Sequence, residues 1–170
     1  TDQKKDFISL QDEEIYIDKG DLVFSINDEV INLAGIMGGK STRCNDQTTK
    51  VLLECAHFRP DEILGKSTKY GLFSDAAHKY ERFVDPTLQE FAIKRFIKIV
   101  EDHADIKAIK LYKNSSGMHP DRTLDLNPSE INNILGTNLD DKIIIQILND
   151  LFFETLENKV RFPSFRNDIF

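Results

Sequence analysis

Residues 13–33 alternate between apolar and polar side chains in the way that is typical of β-strands. Two apolar runs, Val23–Ile26 and Val30–Leu33, flank the polar sequence Asn-Asp-Glu at 27–29. Asparagine and aspartate favour the tight turns that join antiparallel strands. The pattern therefore predicts strands throughout this stretch, with a hairpin turn at 27–29.

Later in the chain the apolar residues recur at helical spacing. Asp61–Lys69, between Pro60 and Gly71, suits a short helix. A longer helix is predicted from Thr87 to about Ala104, with Asp85 as its cap and Pro86 at its first position. Its apolar stripe is interpreted as core packing; the members are Leu88, Phe91, Ala92, Phe96, Ile99 and Val100. Two further runs, Val51–Ala56 and Ile106–Tyr112, are predicted to be a buried strand and an edge strand.

A second, smaller unit is predicted toward the end of the chain. Two short helices, capped by Asn127 and Asp140, precede a hairpin over Phe153–Phe162. Two helices followed by a hairpin is a winged-helix-like order. The predicted division is a domain over 1–113, a linker over 114–121 and a module over 122–170. Together these elements predict an α+β (mixed α/β) chain: a β-rich domain with packed helices, then a small winged-helix-like α/β module.

The composition is that of a soluble protein. Hydrophobic residues make up 40% of the chain, which supports a packed core, and no apolar run approaches the length of a membrane span. The N-terminus leads into no apolar segment of a secretory signal, so the cytoplasm is the expected location. Cys44 and Cys55 form no Cys-x-x-Cys pair and are predicted to be reduced thiols.

The net charge of −7 argues against a protein that binds nucleic acid over its whole surface. The charge is uneven, however. Residues 1–39 carry a net charge of −6, whereas residues 40–82 carry +2. The second of these stretches can therefore accommodate a polyanionic substrate.

The candidate site is predicted around Leu33–Gly39, which has three glycines in an apolar segment. Glycine allows a backbone to approach a ligand closely or to adopt a positive φ. Downstream, Glu54 is the single carboxylate within the apolar run Val51–Ala56, where a buried charge is costly unless something satisfies it. These features predict a pocket with a bare backbone wall and one strong hydrogen-bond acceptor.

Several segments, in this order and spacing, resemble the editing domain of the bacterial-type phenylalanyl-tRNA synthetase beta subunit. They are Leu33–Gly39, Leu52-Leu53-Glu54, Ser74-Asp75-Ala76, Tyr80-Glu81-Arg82 and Val84-Asp85-Pro86. The second unit, with Leu135-Gly136 and the sequence Phe-Pro-Ser-Phe-Arg-Asn-Asp-Ile at 162–169, resembles the module that follows in the same subunit. The likeness covers nearly the whole chain.

The resemblance implies a phenylalanine–tRNA ligase, a class II aminoacyl-tRNA synthetase with (αβ)2 subunits. Its alpha subunit joins phenylalanine to tRNA(Phe) with ATP and magnesium, and the editing domain of its beta subunit hydrolyses tyrosine mistakenly attached to tRNA(Phe). The substrate-binding residues implied for this chain are Gly35, Gly38, Gly39, Glu54, Ser74 and Ala76, of which Glu54 and Ser74 are the candidate catalytic residues. Asp168 matches the first of several carboxylates that hold magnesium. The resemblance implies no cofactor in the editing pocket itself.

The chain departs from the family pattern in three ways. The family has an editing-site histidine upstream of the segment that Thr1 matches. Ser74 stands where threonine is usual, and Phe83 stands where glycine is usual. The remaining magnesium carboxylates would lie past Phe170. The chain is therefore expected to be a piece of the subunit, truncated at both ends.

The residues alone leave other interpretations open. The glycine loop could be a plain turn, and Glu54 could be a structural ion-pair partner of Arg82 or Arg43. Ser74 lies in no Gly-x-Ser-x-Gly elbow, which favours a lining role over a covalent one. The four histidines show no metal-ligand spacing. The alternative function is a non-catalytic structural and RNA-binding portion of the same subunit, and a free-standing deacylase is a third.

Overall fold

The computed structural model describes residues 1–115 and 122–169, which divide into two compact units. The first unit spans Thr1–Ala104 and the second begins at Asp105. The strands of the first unit are β1 Lys5–Ile8, β2 Glu14–Ile17, β3 Val23–Ile26, β4 Glu29–Leu33 and β5 Met37–Gly38. Its helices are α1 Pro60–Ile63, α2 Lys66–Tyr70, α3 Asp75–Tyr80 and α4 Gln89–Glu101. The second unit contains β6 Thr123–Asp125, α5 Pro128–Leu135, α6 Asp141–Asp150, β7 Glu154–Leu156 and β8 Lys159–Arg161.

Two antiparallel sheets organise the first unit. β1 pairs with β2, and the second sheet has the order β3-β4-β5. β3 and β4 are joined by a two-residue turn at Asn27 and Asp28, both of which have the positive φ that a tight hairpin requires. An isolated bridge between Ser9 and Gly39 connects the two sheets. The predicted hairpin is confirmed, although Glu29 already belongs to the second strand.

The core of the first unit combines apolar residues from both sheets and from α1 to α3. The largest fully buried apolar side chains are Ile17, Leu33, Ile63 and Leu72. Gly35 lies against this core with a φ of +70°, and a Cβ at this position would lie 2.9 Å from Cδ2 of Phe58. Glycine is required here both by the left-handed backbone and by the close packing.

Asp21 ties the loop between β2 and β3 to helix α2. Its carboxylate is 3% exposed and accepts hydrogen bonds from the side chains of Lys66, Lys69 and Tyr70. Burial is the largest influence on the carboxyl group and raises its pKa, but the hydrogen bonds from these three groups outweigh it, so the pKa of Asp21 is lowered. The network fixes α2 at the edge of the core.

Both isolated strand predictions are wrong. Val51–Ala56 pairs with no strand among the described residues, and Leu52 is 79% exposed. Ile106–Tyr112 likewise adopts no regular structure, and Tyr112 is 80% exposed. A short apolar run does not by itself specify a strand, because it has no periodicity that separates a buried strand from other structures.

The helices around residues 60–80 differ from the prediction. Instead of one helix over Asp61–Lys69 there are two, α1 and α2, separated at Gly65, which has a φ of +76°. Helix α3 lies in a stretch for which no helix was predicted. Helix α2 ends at Gly71, which has a left-handed backbone conformation. Ser74 is the N-cap of α3, the helix that contains Ala76.

Helix α4 begins two residues after the predicted start. The carboxylate of Asp85 accepts a hydrogen bond from the backbone N–H of Thr87 at 2.9 Å and forms a turn ahead of the helix. The interpretation of its apolar stripe as core packing is wrong, because Phe91 is 69% exposed and Phe96 is 43% exposed. Helical periodicity identifies an apolar face but does not specify what covers it.

Phe83 has a φ of 113°. This value lies in the left-handed region that a bulky side chain rarely adopts. The ring makes an edge-on contact with His57, with the ring centroids 5.9 Å apart. The backbone at this position therefore has a conformation that glycine adopts more readily than phenylalanine.

The second unit confirms most of its predicted elements. Asn127 and Asp140 cap α5 and α6 through side-chain oxygens, and Gly136 ends α5 with a φ of +68°. The predicted hairpin is β7–β8, and β6, which was not predicted, pairs with β8. The predicted linker at 114–121 lies outside the described residues apart from its first two positions.

The combination of helices and antiparallel sheets confirms the predicted α+β class. Among residues 1–115 and 122–169, no helix has both the length and the apolar content that crossing a bilayer requires.

Gly39→Ala is expected to destabilise the protein by about 3 kcal/mol. A Cβ at this position would lie 2.7 Å from the carbonyl oxygen of Ile31, which also accepts the hydrogen bond from the N–H of Gly39. Gly38→Ala is the matched control, because its Cβ would meet only the side chain of Leu10, at 3.0 Å. Urea unfolding measures both variants, and equal losses of stability would contradict the backbone clash.

Candidate functional site

An open cavity of about 200 Å³ lies beside the glycine loop of the first unit. Its lining residues are Asn32, Gly35, Ile36, Met37, Gly38, Glu54, Ala76 and Tyr80. Four residues that were predicted to form the site, Gly35, Gly38, Glu54 and Ala76, therefore come together around one cavity. We call this space the first cavity.

The backbone wall of the first cavity is the turn between β4 and β5. Asn32 is opposite Gly38 in the antiparallel register, and Gly35 turns the chain between the two strands. The N–H of Ile36 donates to the carbonyl oxygen of Leu33 at 2.9 Å and closes the turn. Gly35 and Gly38 therefore present backbone atoms, rather than side chains, to the cavity.

Glu54 forms one side of the first cavity. The residue as a whole is exposed, but its carboxyl group lies partly enclosed by protein atoms, and this desolvation raises the pKa of Glu54. The structural ion pair that the sequence left open is not observed within the described residues: Arg82 lies beside Glu81, at 3.8 Å, rather than beside Glu54. A carboxylate in this environment has spare hydrogen-bonding capacity.

The segment that carries Glu54 is held by aromatic packing rather than by strand pairing. The hydroxyl of Tyr80 donates to the carbonyl oxygen of Ala56 at 3.3 Å, and its ring packs edge-on against Phe58. Burial and then the charges of Glu54 and Cys55 raise the pKa of Tyr80. Cys55, like Cys44, is a free thiol, as predicted.

Asn32 is a lining residue that the sequence analysis missed. Its side-chain oxygen Oδ1 is buried and has no hydrogen-bond partner among the described residues. Such acceptors are uncommon in folded proteins, because leaving one unpaired costs free energy. A polar residue within the apolar run Val30–Leu33 was the signal that could have identified it.

Ser74 does not line the first cavity. Its hydroxyl donates to the carbonyl oxygen of Ile36 at 2.6 Å and accepts from the N–H of Ala77 at 3.1 Å. Ser74 therefore caps α3 and links that helix to the glycine loop. Its hydroxyl proton is engaged in the hydrogen bond to Ile36. Gly39 also lies outside the lining residues, in the bridge to Ser9.

Asp168, the predicted magnesium ligand, is engaged by a cation of the protein. Its two carboxylate oxygens accept hydrogen bonds from Nε and Nη2 of Arg166, both at 2.7 Å. This pairing lowers the pKa of Asp168 to about 2. Within residues 1–115 and 122–169, no three histidine, cysteine or acidic side chains group together as metal ligands. The described residues therefore do not fit a magnesium ion at Asp168.

Comparisons with known proteins relate this chain to one family and to several named proteins. Residues 1–105 match the model of a family described as the B3/4 domain. The chain is 36% identical over 166 residues to the phenylalanine–tRNA ligase beta subunit of Methylococcus capsulatus, covering 94% of the chain and 21% of that protein. It is 29% identical over 168 residues to the corresponding subunit of Francisella tularensis, again covering 94% and 21%. The chain spans about a fifth of the length of these relatives.

Proposed function

We propose, from the premise that this chain belongs to the B3/4 domain family, that the first cavity binds the tyrosyl group of mischarged tRNA(Phe) for hydrolysis. The predicted resemblance to phenylalanyl-tRNA synthetase beta subunits is confirmed by relatives that bear that name. The hydrolytic activity itself is the proposal. It depends on whether the first cavity can form a hydrogen bond with the phenol of tyrosine.

The chemical problem is to recognise a hydroxyl. A hydrophobic pocket that is built for phenylalanine rejects an added hydroxyl only by about a hundredfold, so a second, hydrolytic site improves fidelity. Size cannot serve as the second filter, because the wrong amino acid is the larger one. The editing site must therefore bind the phenol through a hydrogen bond that phenylalanine cannot make.

One observation carries the proposal: Glu54 lines the first cavity together with Gly35 and Gly38 of the glycine loop. Within the described residues it has neither an ion pair nor a hydrogen bond, and desolvation raises its pKa. A phenol bound in the first cavity would donate its proton to this acceptor. Bound phenylalanine would leave the acceptor unpaired, at a cost of roughly 1–3 kcal/mol.

The proposed hydrolysis needs positioning more than a nucleophile. The ester is carried on a vicinal diol, which already activates it, so holding water and substrate together supplies much of the acceleration. Ser74 is a poor candidate for covalent attack because its proton is donated to the carbonyl oxygen of Ile36. Glu54 and the backbone between Gly35 and Gly38 would bind and orient the amino acid, while the reacting oxygen comes from water.

Charging of tRNA(Phe) is proposed for a longer assembly than this chain. In that assembly an alpha subunit would use ATP and magnesium, and an (αβ)2 heterotetramer in the cytoplasm would contain this domain. No step of the proposed hydrolysis depends on Asp168, since its carboxylate is paired with Arg166.

A scaffold role is the second candidate function, and helix α4 favours it. The apolar face of this helix is exposed, including Phe96 and Ile99, both at 43%. A surface of this kind is typical of contacts with another protein segment. A scaffold would not require an open cavity with an unpaired carboxylate, which favours the editing function.

The test is deacylation of preformed tyrosyl-tRNA(Phe) by this chain, with phenylalanyl-tRNA(Phe) as the matched substrate. We expect tyrosine to be released faster than phenylalanine, by about tenfold or more, because only tyrosine pairs with Glu54. Circular dichroism establishes that the protein is folded in the assay. Release of both amino acids at the background rate by folded protein would contradict the proposal and favour the scaffold.

A further inference from the structure

Asn32 is a polar residue at a position of the sheet that its neighbours in the chain make apolar. It lies in β4, the central strand of the sheet β3-β4-β5, within the apolar run Val30–Leu33. Its side-chain oxygen Oδ1 is buried, and its amide forms no hydrogen bond within the described residues. An unpaired buried acceptor costs free energy of folding, and no hydrogen bond in the described part of the chain offsets that cost. Stability therefore does not account for an asparagine at this position.

The amide of Asn32 is available to the first cavity. Asn32 lines this cavity together with Glu54, and of its two polar atoms Oδ1 is the buried one, which leaves Nδ2 to face the space. Gly38 lies opposite Asn32 on β5, and cross-strand neighbours share one face of a sheet. Because glycine has no side chain, the paired position on β5 leaves the amide uncovered.

The lining of the first cavity contains few hydrogen-bond donors. Apart from Asn32, Glu54 and Tyr80, its lining side chains are apolar or absent. A glutamate that is ionised only accepts hydrogen bonds. The hydroxyl of Tyr80 already donates to the carbonyl oxygen of Ala56 at 3.3 Å. Among the described lining residues, Asn32 is thus the side chain whose N–H groups remain for a ligand.

A phenol needs a donor as well as an acceptor. Under the proposed function its proton is donated to Glu54, which leaves lone pairs on the phenolic oxygen that a carboxylate cannot satisfy. An amide N–H supplies the missing donor and adds no second charge to the cavity that contains Glu54. Phenylalanine has no oxygen for either group, so two contacts discriminate against it more strongly than one.

We propose that Asn32 is a specificity-determining residue of the first cavity, and that its Nδ2–H donates to the phenolic oxygen of the substrate while Glu54 accepts the phenolic proton. This inference rests on the proposed editing function. The cost of burying Oδ1 is kept because the other end of the same amide binds the substrate.

The experiment is deacylation of tyrosyl-tRNA(Phe) and phenylalanyl-tRNA(Phe) by Asn32→Ala. The ratio of tyrosine release to phenylalanine release is expected to fall about three- to tenfold, which corresponds to the loss of one neutral hydrogen bond. The unfolding midpoint should not fall, because the amide makes no hydrogen bond within the described residues. A parental ratio in Asn32→Ala would overturn the proposal.

Asn132→Ala is the matched control. The amide of Asn132 donates to the carbonyl oxygen of Leu139 and accepts from the N–H of Leu139 and the hydroxyl of Thr137. This asparagine therefore has the structural role that Asn32 lacks, and its replacement should lower the unfolding midpoint with the parental ratio of release. A lower midpoint in Asn32→Ala, with an unchanged ratio, would assign Asn32 the same structural role and contradict the inference.

The two proposed contacts act on one oxygen, so the effects of removing them should not add. In the Glu54→Ala background the phenol is no longer held against the amide, and Asn32→Ala is expected to change the ratio by less than about twofold. Full additivity of the two losses would place the amide on another part of the substrate and overturn the assignment.

Free amino acids test the direction of the hydrogen bond. Isothermal titration calorimetry compares tyrosine with 4-aminophenylalanine, whose arylamine keeps a proton for Glu54 but is a poor acceptor, because its lone pair is delocalised into the ring. Asn32→Ala is expected to weaken tyrosine binding about three- to tenfold and 4-aminophenylalanine binding by less than about twofold. Equal losses for the two ligands would show that the amide does not donate to the phenolic oxygen.

The same titrations separate this inference from the editing function. Tyrosine binding that is weakened by Glu54→Ala but not by Asn32→Ala would overturn the inference alone. Tyrosine binding that depends on Asn32, without release of tyrosine from tRNA(Phe), would keep the assignment of Asn32 and reject editing. Folded protein that neither binds tyrosine nor releases it from tRNA(Phe) would overturn both.

Discussion

Glu54→Ala is expected to lower the preference for tyrosyl-tRNA(Phe) over phenylalanyl-tRNA(Phe) by about ten- to a hundredfold. The substitution removes the acceptor for the phenolic proton, so the two amino acids become nearly equivalent in the first cavity. Stability should not fall, because within the described residues the carboxylate makes no hydrogen bond or ion pair and is held in a desolvated position. Loss of selectivity at unchanged stability distinguishes a recognition group from a structural one.

The pH dependence gives the same prediction a second measurement. Since desolvation raises the pKa of Glu54, its charge is lost at a higher pH than that of an exposed glutamate. The preference for tyrosine should therefore decline as the pH falls through this raised pKa. The free energy of unfolding should change in the opposite direction. Above the raised pKa the enclosed negative charge of Glu54 destabilises the folded protein, and protonation at lower pH removes this destabilisation. Glu54→Gln, which carries no charge, should show neither change.

Glu62→Ala is the matched control for Glu54→Ala. Glu62 is also a glutamate of the first unit, but its carboxylate is paired with Arg59 and does not line the first cavity. Deacylation of the two aminoacyl-tRNAs by this variant should match the parent. If Glu54→Ala keeps the tyrosine preference of the parent, the proposed recognition role of this carboxylate is wrong.

Gly38→Trp is expected to abolish release of tyrosine by filling the first cavity. Gly38 lines the cavity, and its backbone needs no positive φ, so a side chain is tolerated there. The nearest atom to a Cβ is Cδ1 of Leu10, at 3.0 Å, which belongs to a flexible side chain. The indole is expected to occupy the adjoining cavity, which is about 200 Å³ in volume.

Two measurements show whether occlusion is the cause. The folded state of Gly38→Trp is checked by its unfolding midpoint, and Gly38→Ala, which adds one methyl group, should retain most of the deacylation rate. Parental deacylation by folded Gly38→Trp would show that the amino acid binds elsewhere.

The sequence predicted those elements whose determinants are local. The turn at Asn27-Asp28 and the caps at Asn127 and Asp140 depend on residues a few positions apart, and all are confirmed. The burial of the apolar stripe of α4 depends on which segment packs against it, and the local sequence pattern does not specify that segment. Phe91, exposed at 69%, is therefore correctly placed on a helix and wrongly placed in the core.

The candidate site was predicted in part for the same reason. Gly35 and Glu54 stand out because glycines and a lone carboxylate are unusual within apolar runs, and the structure places both at the first cavity. The strand that was expected to carry Glu54 does not exist, since strand pairing depends on a distant partner. The contribution of Tyr80 to the first cavity escaped prediction because α3, which carries both Ala76 and Tyr80, was not predicted as a helix.

The two hydrogen bonds of Ser74 bear on how this position can change in evolution. One residue must both accept from the N–H of Ala77 and donate to the carbonyl oxygen of Ile36. Aspartate caps helices well but, when ionised, has no proton to donate, and alanine does neither. Serine and threonine satisfy both demands, so they are interchangeable here. One side chain thus joins the glycine loop to helix α3, and a substitution that removes either hydrogen bond loosens that connection.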